Sequence, residues 1–138
     1  MAEKENGIIK KYHDNEKIKI EHVYFIFNNK KEGEYIEYYK HGQLLNICNY
    51  KNGKKEGEYK IYYGNGIIML IRNYKNNVLE GEFKRYYINK QLNKICNYKN
   101  NKLEGKYKEY YKNGQLKVIC NYKNNNLEGK HKEYYENG

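Results

Sequence analysis

The sequence contains no proline, tryptophan, serine or threonine, and Asp14 is its only aspartate. Without Ser or Thr it has no aliphatic hydroxyl nucleophile and no GK[ST] ending for a phosphate-cradling P-loop. The same absence leaves no N-glycosylation sequon. Arginine is confined to Arg72 and Arg85, so bidentate gripping of phosphates and base edges has few agents. Residues 1–10 lack the apolar run of a secretory signal, and no stretch approaches the ~20 apolar residues of a membrane span. Three cysteines are an odd number for a disulfide framework. No CxxC or HxxxH spacing offers a metal site, and no residue pattern calls for a cofactor. His13, His22, His41 and His131 are scattered, and none accompanies the cysteines as a general base. These exclusions argue against a conventional enzyme and for an intracellular, soluble chain.

What is present is concentrated in four residue types. Lys, Asn, Ile and Tyr make up more than half of the chain. All four have A/T-rich codons, which weakens the meaning of the formal net charge of +10. Such a balance ordinarily points to nucleic acid, an acidic membrane surface or an acidic protein.

The dominant pattern is an internal repeat. Glu-Gly recurs with its glycine at Gly33, Gly57, Gly81, Gly105 and Gly129, a step of 24 residues. Four full units follow, 33–56, 57–80, 81–104 and 105–128, with a partial unit at 129–138. Residues 7–32 read as a diverged earlier unit, in keeping with the atypical ends of repeat arrays. Within a unit, two Tyr- and Ile-rich segments each end at a turn signal. Asn113-Gly114 predicts a two-residue hairpin turn, and the Asn-rich stretch to Leu127-Glu128-Gly129 predicts a longer one. The glycine is expected to supply a strained turn or a close backbone approach. Gly, Asn and paired Tyr at this density disfavour helix, and no i, i+3, i+4 stripe crosses a unit. The expected fold is all-β: an elongated, single-layer antiparallel meander of repeated hairpins. Roughly ten strands at about 4.8 Å each would extend on the order of 45–50 Å.

Alternation along the strands assigns faces. Tyr107 and Tyr111 share one face of their strand; in the next strand Leu116, Val118, Cys120 and Tyr122 share a face, with Ile119 opposite. Cys48, Cys96 and Cys120 occupy one repeat position, where Arg72 stands in the second unit. Equivalent positions lie two strands apart, about 9.6 Å, beyond disulfide reach. They read as small buried hydrophobes in a reducing cytosol.

The phrases YYKNGQL, NYKNN-LEG and KEYYENG resemble the MORN repeat family, in the variant found in YwqK-like proteins, some of which are labelled antitoxins. The resemblance covers residues 33–138 and, more weakly, 7–32. Asn89-Lys90, His131 in place of Tyr107, and Lys55 in place of Leu depart from the pattern. The resemblance implies single-layer hairpin arrays used in protein assembly and membrane-lipid attachment. The family's occurrence in giant DNA viruses and bacteria suits the A/T-rich composition and suggests a viral source, acting in the host cytoplasm.

For function, the Tyr-Tyr pairs place one ring on each face. Tyr38, Tyr62, Tyr86, Tyr110 and Tyr134 form an outward row beside Lys60, Lys84 and Lys108, a candidate interaction surface because Tyr offers large area at low entropic cost. Glu32, Glu56, Glu80, Glu104 and Glu128 recur at one turn position and read as turn geometry or a solvated edge, since an acid/base pair needs two different environments. The leading expectation is a non-catalytic scaffold for an unidentified protein partner. The alternatives are a peripheral binder of anionic lipid, with nucleic acid disfavoured by scarce Arg and interrupting Glu, and an antitoxin-like neutralising partner. Ending at Asn137-Gly138 leaves a hairpin half made, and self-association through a strand edge is expected from that.

Overall fold

The computed structural model describes residues 6–13 and 20–137. Asp14, the rest of 14–19 in the diverged first unit, and Gly138 of the last Asn-Gly pair lie outside the described residues. The strands are β1 (Gly7–Tyr12), β2 (Ile20–Phe27), β3 (Lys30–Tyr38), β4 (Leu44–Lys51), β5 (Lys54–Tyr62), β6 (Ile68–Lys75), β7 (Val78–Leu79) and β8 (Gly81–Tyr86). They continue with β9 (Leu92–Lys99), β10 (Lys102–Leu103), β11 (Gly105–Tyr110), β12 (Leu116–Lys123) and β13 (Asn126–Glu133). All 13 belong to one sheet, in the order β1-β2-β3-β4-β5-β6-β8-β9-β11-β12-β13, with the short β7 on β6 and β10 on β9. Every pairing is antiparallel and sequential, so the sheet is an open meander and the expected all-β, single-layer architecture is what forms.

The turns correct the sequence reading in an instructive way. Asn113-Gly114 is not the centre of a two-residue turn. Gly114 N–H donates to the Tyr111 carbonyl at 2.9 Å, and Tyr111 N–H to the Gln115 carbonyl at 2.9 Å. Only Gly114 of the pair has positive φ, at 87°, which makes this the longer loop closed by a bulge glycine. Lys90 holds the same place in the third unit at φ 69° and keeps both equivalent hydrogen bonds, so that departure preserves the turn. The two-residue turn lies at the other end of the unit. Asn124 and Asn125 link β12 to β13 with φ of 51° and 70°, the two consecutive left-handed residues of a type I′ turn. Asn tolerates that region better than other side chains because its amide bonds locally.

The repeat glycines are also displaced from their expected role. Asn49 faces Glu56 while the adjacent Cys48 faces Tyr59, so Gly57 and Glu58 bulge within the strand rather than in the turn. Gly57 has φ 77°, yet a Cβ there would meet nothing within 4 Å. The backbone conformation, not a close approach, is what requires glycine.

Two hydrogen-bond ladders tie successive units together. The second tyrosine of each pair, Tyr39, Tyr63, Tyr87 and Tyr111, donates its hydroxyl to the carbonyl of Tyr62, Tyr86, Tyr110 and Tyr134 at 2.7–2.9 Å. Glu32, Glu56, Glu80 and Glu104 each accept from the backbone N–H of Asn52, Asn76, Asn100 and Asn124 at 2.7–3.0 Å. The glutamate row is thus part of the turns.

Candidate interaction surface

The two faces differ in what they do for the fold. On one, which we call the core face, Tyr35 lies opposite Cys48, Cys48 opposite Tyr59, and Tyr59 opposite Arg72. Phe83 lies opposite Cys96 and Tyr107 opposite Cys120 in the later units. Cys48, Cys96 and Cys120 are 2%, 1% and 2% exposed, unlike any large side chain around them. Each sits beneath an edge-on aromatic pair: Tyr35–Tyr50 at 5.7 Å, Phe83–Tyr98 at 5.8 Å and Tyr107–Tyr122 at 5.4 Å between centroids. Such T-shaped contacts add to the area the rings bury. Burial pushes the Cys48 and Cys96 thiols up to about 11 and the Tyr50 phenol up to about 12. The cysteines are free thiols packed as small hydrophobes.

Cations cover this aromatic layer, which the sequence reading did not see. The Lys31 ammonium lies 4.6, 4.3 and 5.1 Å from the ring centroids of Tyr24, Tyr35 and Tyr50. Lys55 and Arg72 lie 4.6 and 4.8 Å from the Tyr59 ring, and Lys94 5.1 Å from that of Tyr107. Lys55, odd by its position in the repeat, is therefore a ring cap. His131, which replaces the repeat tyrosine, keeps its partner: Nε2 is 2.9 Å from Glu133 Oε1, where Tyr107 donates to Glu109.

The opposite, open face carries the residues picked out from sequence. Lys60 and Tyr62, Lys84 and Tyr86, and Lys108 and Tyr110 are two apart on β5, β8 and β11 and so share it. Tyr38 occupies the same register in β3, and Tyr134 follows β13 in line with Lys132. Tyr38, Tyr62, Tyr86 and Tyr110 are half-buried, and Tyr134 is 41% exposed. Leu116 departs from the face that simple alternation predicts for it. The bulge that shifts register between Glu109 and Tyr110 makes Lys117 the extra residue and sets Leu116 opposite Tyr110, so Leu116 leaves the Cys120 face.

Register assembles a continuous row down the middle of this face. Lys10, Val23, Ile36, Ile47, Lys60 and Ile71 are each directly opposite the next. Lys84, Ile95, Lys108, Ile119 and Lys132 extend it to β13. From β4 onward Ile and Lys alternate strand by strand. Glu58 pairs with Lys60 and Glu82 with Lys84, each at 2.5 Å, and the hydrogen bond to the carboxylate raises each lysine above its usual pKa. The alternation was legible in principle, because Ile95 and Lys108 hold fixed places in the unit. Recognising that they face one another needed the bulge counts.

Among the described residues no group of three or more His, Cys, Asp or Glu side chains could hold a metal ion. No helix of the described residues is long and apolar enough to cross a membrane. Residues 5–25, 31–52, 55–76, 79–100, 103–124 and 127–138 match the family described as a MORN repeat variant. No curated protein matches the chain.

Proposed function

Since the chain belongs to the MORN repeat variant family, we propose that it is a non-catalytic scaffold that holds a protein partner on its open face. MORN repeats are generally associated with protein or membrane interactions. The observation that carries the protein reading is the Ile/Lys row flanked by the tyrosines at 38, 62, 86, 110 and 134. Isoleucine and tyrosine supply apolar area, and interspersed lysines supply orientation, as in a protein interface. The core face is already covered by its own cations and rings. Three free, buried thiols fit a reducing, cytoplasmic compartment. Neutralisation of a toxin, suggested by family labels, is one form such partner binding can take.

The second reading is attachment to anionic lipid, favoured by the net charge of +10. Glu58 and Glu82 weaken it by pairing two of the row's lysines. The two are separated by presenting the protein with acidic liposomes and cell lysate together, from roughly 0.05 to 0.5 M salt, where the screening length shortens severalfold. Protein partners retained above 0.15 M, and lost when Tyr62, Tyr86 and Tyr110 are replaced by Ser, support the scaffold. Liposome binding that persists at that salt with no tyrosine-dependent partner overturns it.

A further inference from the structure

A repeat array has a recognition problem. Its surface recurs every two strands, about 9.6 Å, so a partner that reads only the repeated residues can slip by one unit at no cost. On the open face one position breaks that symmetry. The second residue of each unit is Glu34, Glu58 and Glu82, and then Lys106 and Lys130. In the earlier units Glu58 and Glu82 neutralise Lys60 and Lys84 at 2.5 Å. In the later ones Lys106 and Lys130 lie beside Lys108 and Lys132 instead. Among the described residues none of those four lysines makes an ion pair. Lys106, Lys130 and Lys132 surround an open depression of about 230 Å³ floored by Ile119 and Asn121 and edged by Tyr134.

The far end of the same face has the opposite character. Ile8, Phe25 and Phe27 are 69%, 39% and 52% exposed. Ile8 and Phe25 border a depression of about 340 Å³ with Val23 and Ile36, which Glu32 and Glu34 also line. Register puts Ile8 opposite Phe25, and Val23 opposite Ile36, all on the open face. The face therefore runs from mainly apolar at β1–β3, where Lys10 and Glu34 are its charges, through neutralised ion pairs, to four unpaired cations at β11–β13, over roughly 40 Å.

Building on the scaffold reading, we propose that this gradient docks a partner polypeptide that is apolar at one end and acidic at the other, and so fixes its direction and register. The acidic end lies over Lys106, Lys108, Lys130 and Lys132. A nucleic acid fits less well, because its uniform charge would continue onto Glu34, Glu58 and Glu82, and both arginines lie on the core face. A laterally uniform lipid surface draws no advantage from two unlike ends.

The test uses the full chain and a fluorescent 16-residue peptide. Half of the peptide alternates Leu and Ser, half is Glu, and a photocrosslinker sits at the acidic terminus. The controls are a counterpart with Lys for Glu, a 12-nucleotide oligothymidylate, and phosphatidylserine vesicles. The expected result at 0.05 M salt is binding about tenfold tighter than the Lys counterpart, since surface charge pairs are worth little singly but add up over four. Crosslinks are expected within residues 105–137. K106E/K130E restores the residue type of the other units at that position and so keeps the fold, checked by circular dichroism. It is expected to lose about tenfold in affinity and to scatter the crosslinks. Equal binding of the two peptides, crosslinks spread evenly over the units, or displacement by the oligothymidylate or the vesicles each overturns the proposal. If the peptide fails while Tyr62, Tyr86 and Tyr110 still govern partner retention, the gradient falls and the scaffold stands. If both fail, both fall.

Discussion

At the scale of the residue, the most consequential side chains are the smallest apolar ones. Cys48, Cys96 and Cys120 fill the space under the aromatic pairs, and burial holds Cys48 and Cys96 neutral up to about pH 11. The nucleophile in thiol chemistry is the thiolate, so at pH 8 these two should react about a hundredfold more slowly with a disulfide reagent than in the unfolded chain. Timing the reaction with and without urea checks this. The same shift has a sign for stability. A thiol whose pKa is raised in the fold binds its proton more tightly there than when unfolded. Its contribution is present below pH 9 and is lost as pH rises to about 11. The phenols of Tyr35, Tyr50 and Tyr107 are shifted up as well, also chiefly by burial, and extend the loss further into alkali. Melting temperature followed by circular dichroism should be level from pH 7 to 9 and fall steadily above it.

At the scale of the element, asparagine pairs set the hairpins, and they show what kind of information a single sequence carries. Asn76 and Asn77 both have positive φ, at 52° and 70°, but they do different work. Asn77 Oδ1 also accepts from Lys55 N–H at 2.6 Å, joining its turn to the preceding unit, whereas the Asn76 side chain makes no such link. Asn76→Gly should therefore be nearly neutral and Asn76→Ala destabilising by about 1–2 kcal/mol. Asn77→Gly should cost about 1 kcal/mol through the lost hydrogen bond. Urea unfolding of the three variants separates the effects. The existence and spacing of the hairpins were legible because Glu-Gly, Tyr-Tyr and Asn-rich phrases recur every 24 residues. Their turn types were not, because Asn-Gly suits both a two-residue turn and a loop ending in a bulge glycine. Bulges decided the rest. The two extra residues at Gly57 and Glu58, and the single one at Lys117, are invisible to simple alternation, and they determine which side chains meet.

At the scale of the whole molecule, a sheet with no second layer must use one face to hold itself and leaves the other available. The division seen here, with buried thiols, edge-on rings and capping cations on one side and alternating Ile and Lys on the other, follows from that constraint. The tyrosines and the lysines at 60, 84 and 108 were legible as an outward row, because they repeat. The cluster of Lys106 and Lys130 beside Lys108 and Lys132 was not, because the first two depart from the repeat and the grouping joins residues two strands apart. Which face meets the partner is best read by lysine acetylation of the free and the partner-bound protein, with the modified sites counted by mass spectrometry. Both faces carry half-exposed lysines, so each reports on its own side. Protection of Lys60, Lys84 and Lys108 on binding, with Lys31, Lys55 and Lys94 unchanged, is the expected result. Protection of Lys31, Lys55 and Lys94 instead would place the partner on the aromatic core face and contradict the assignment of the open face as the binding surface.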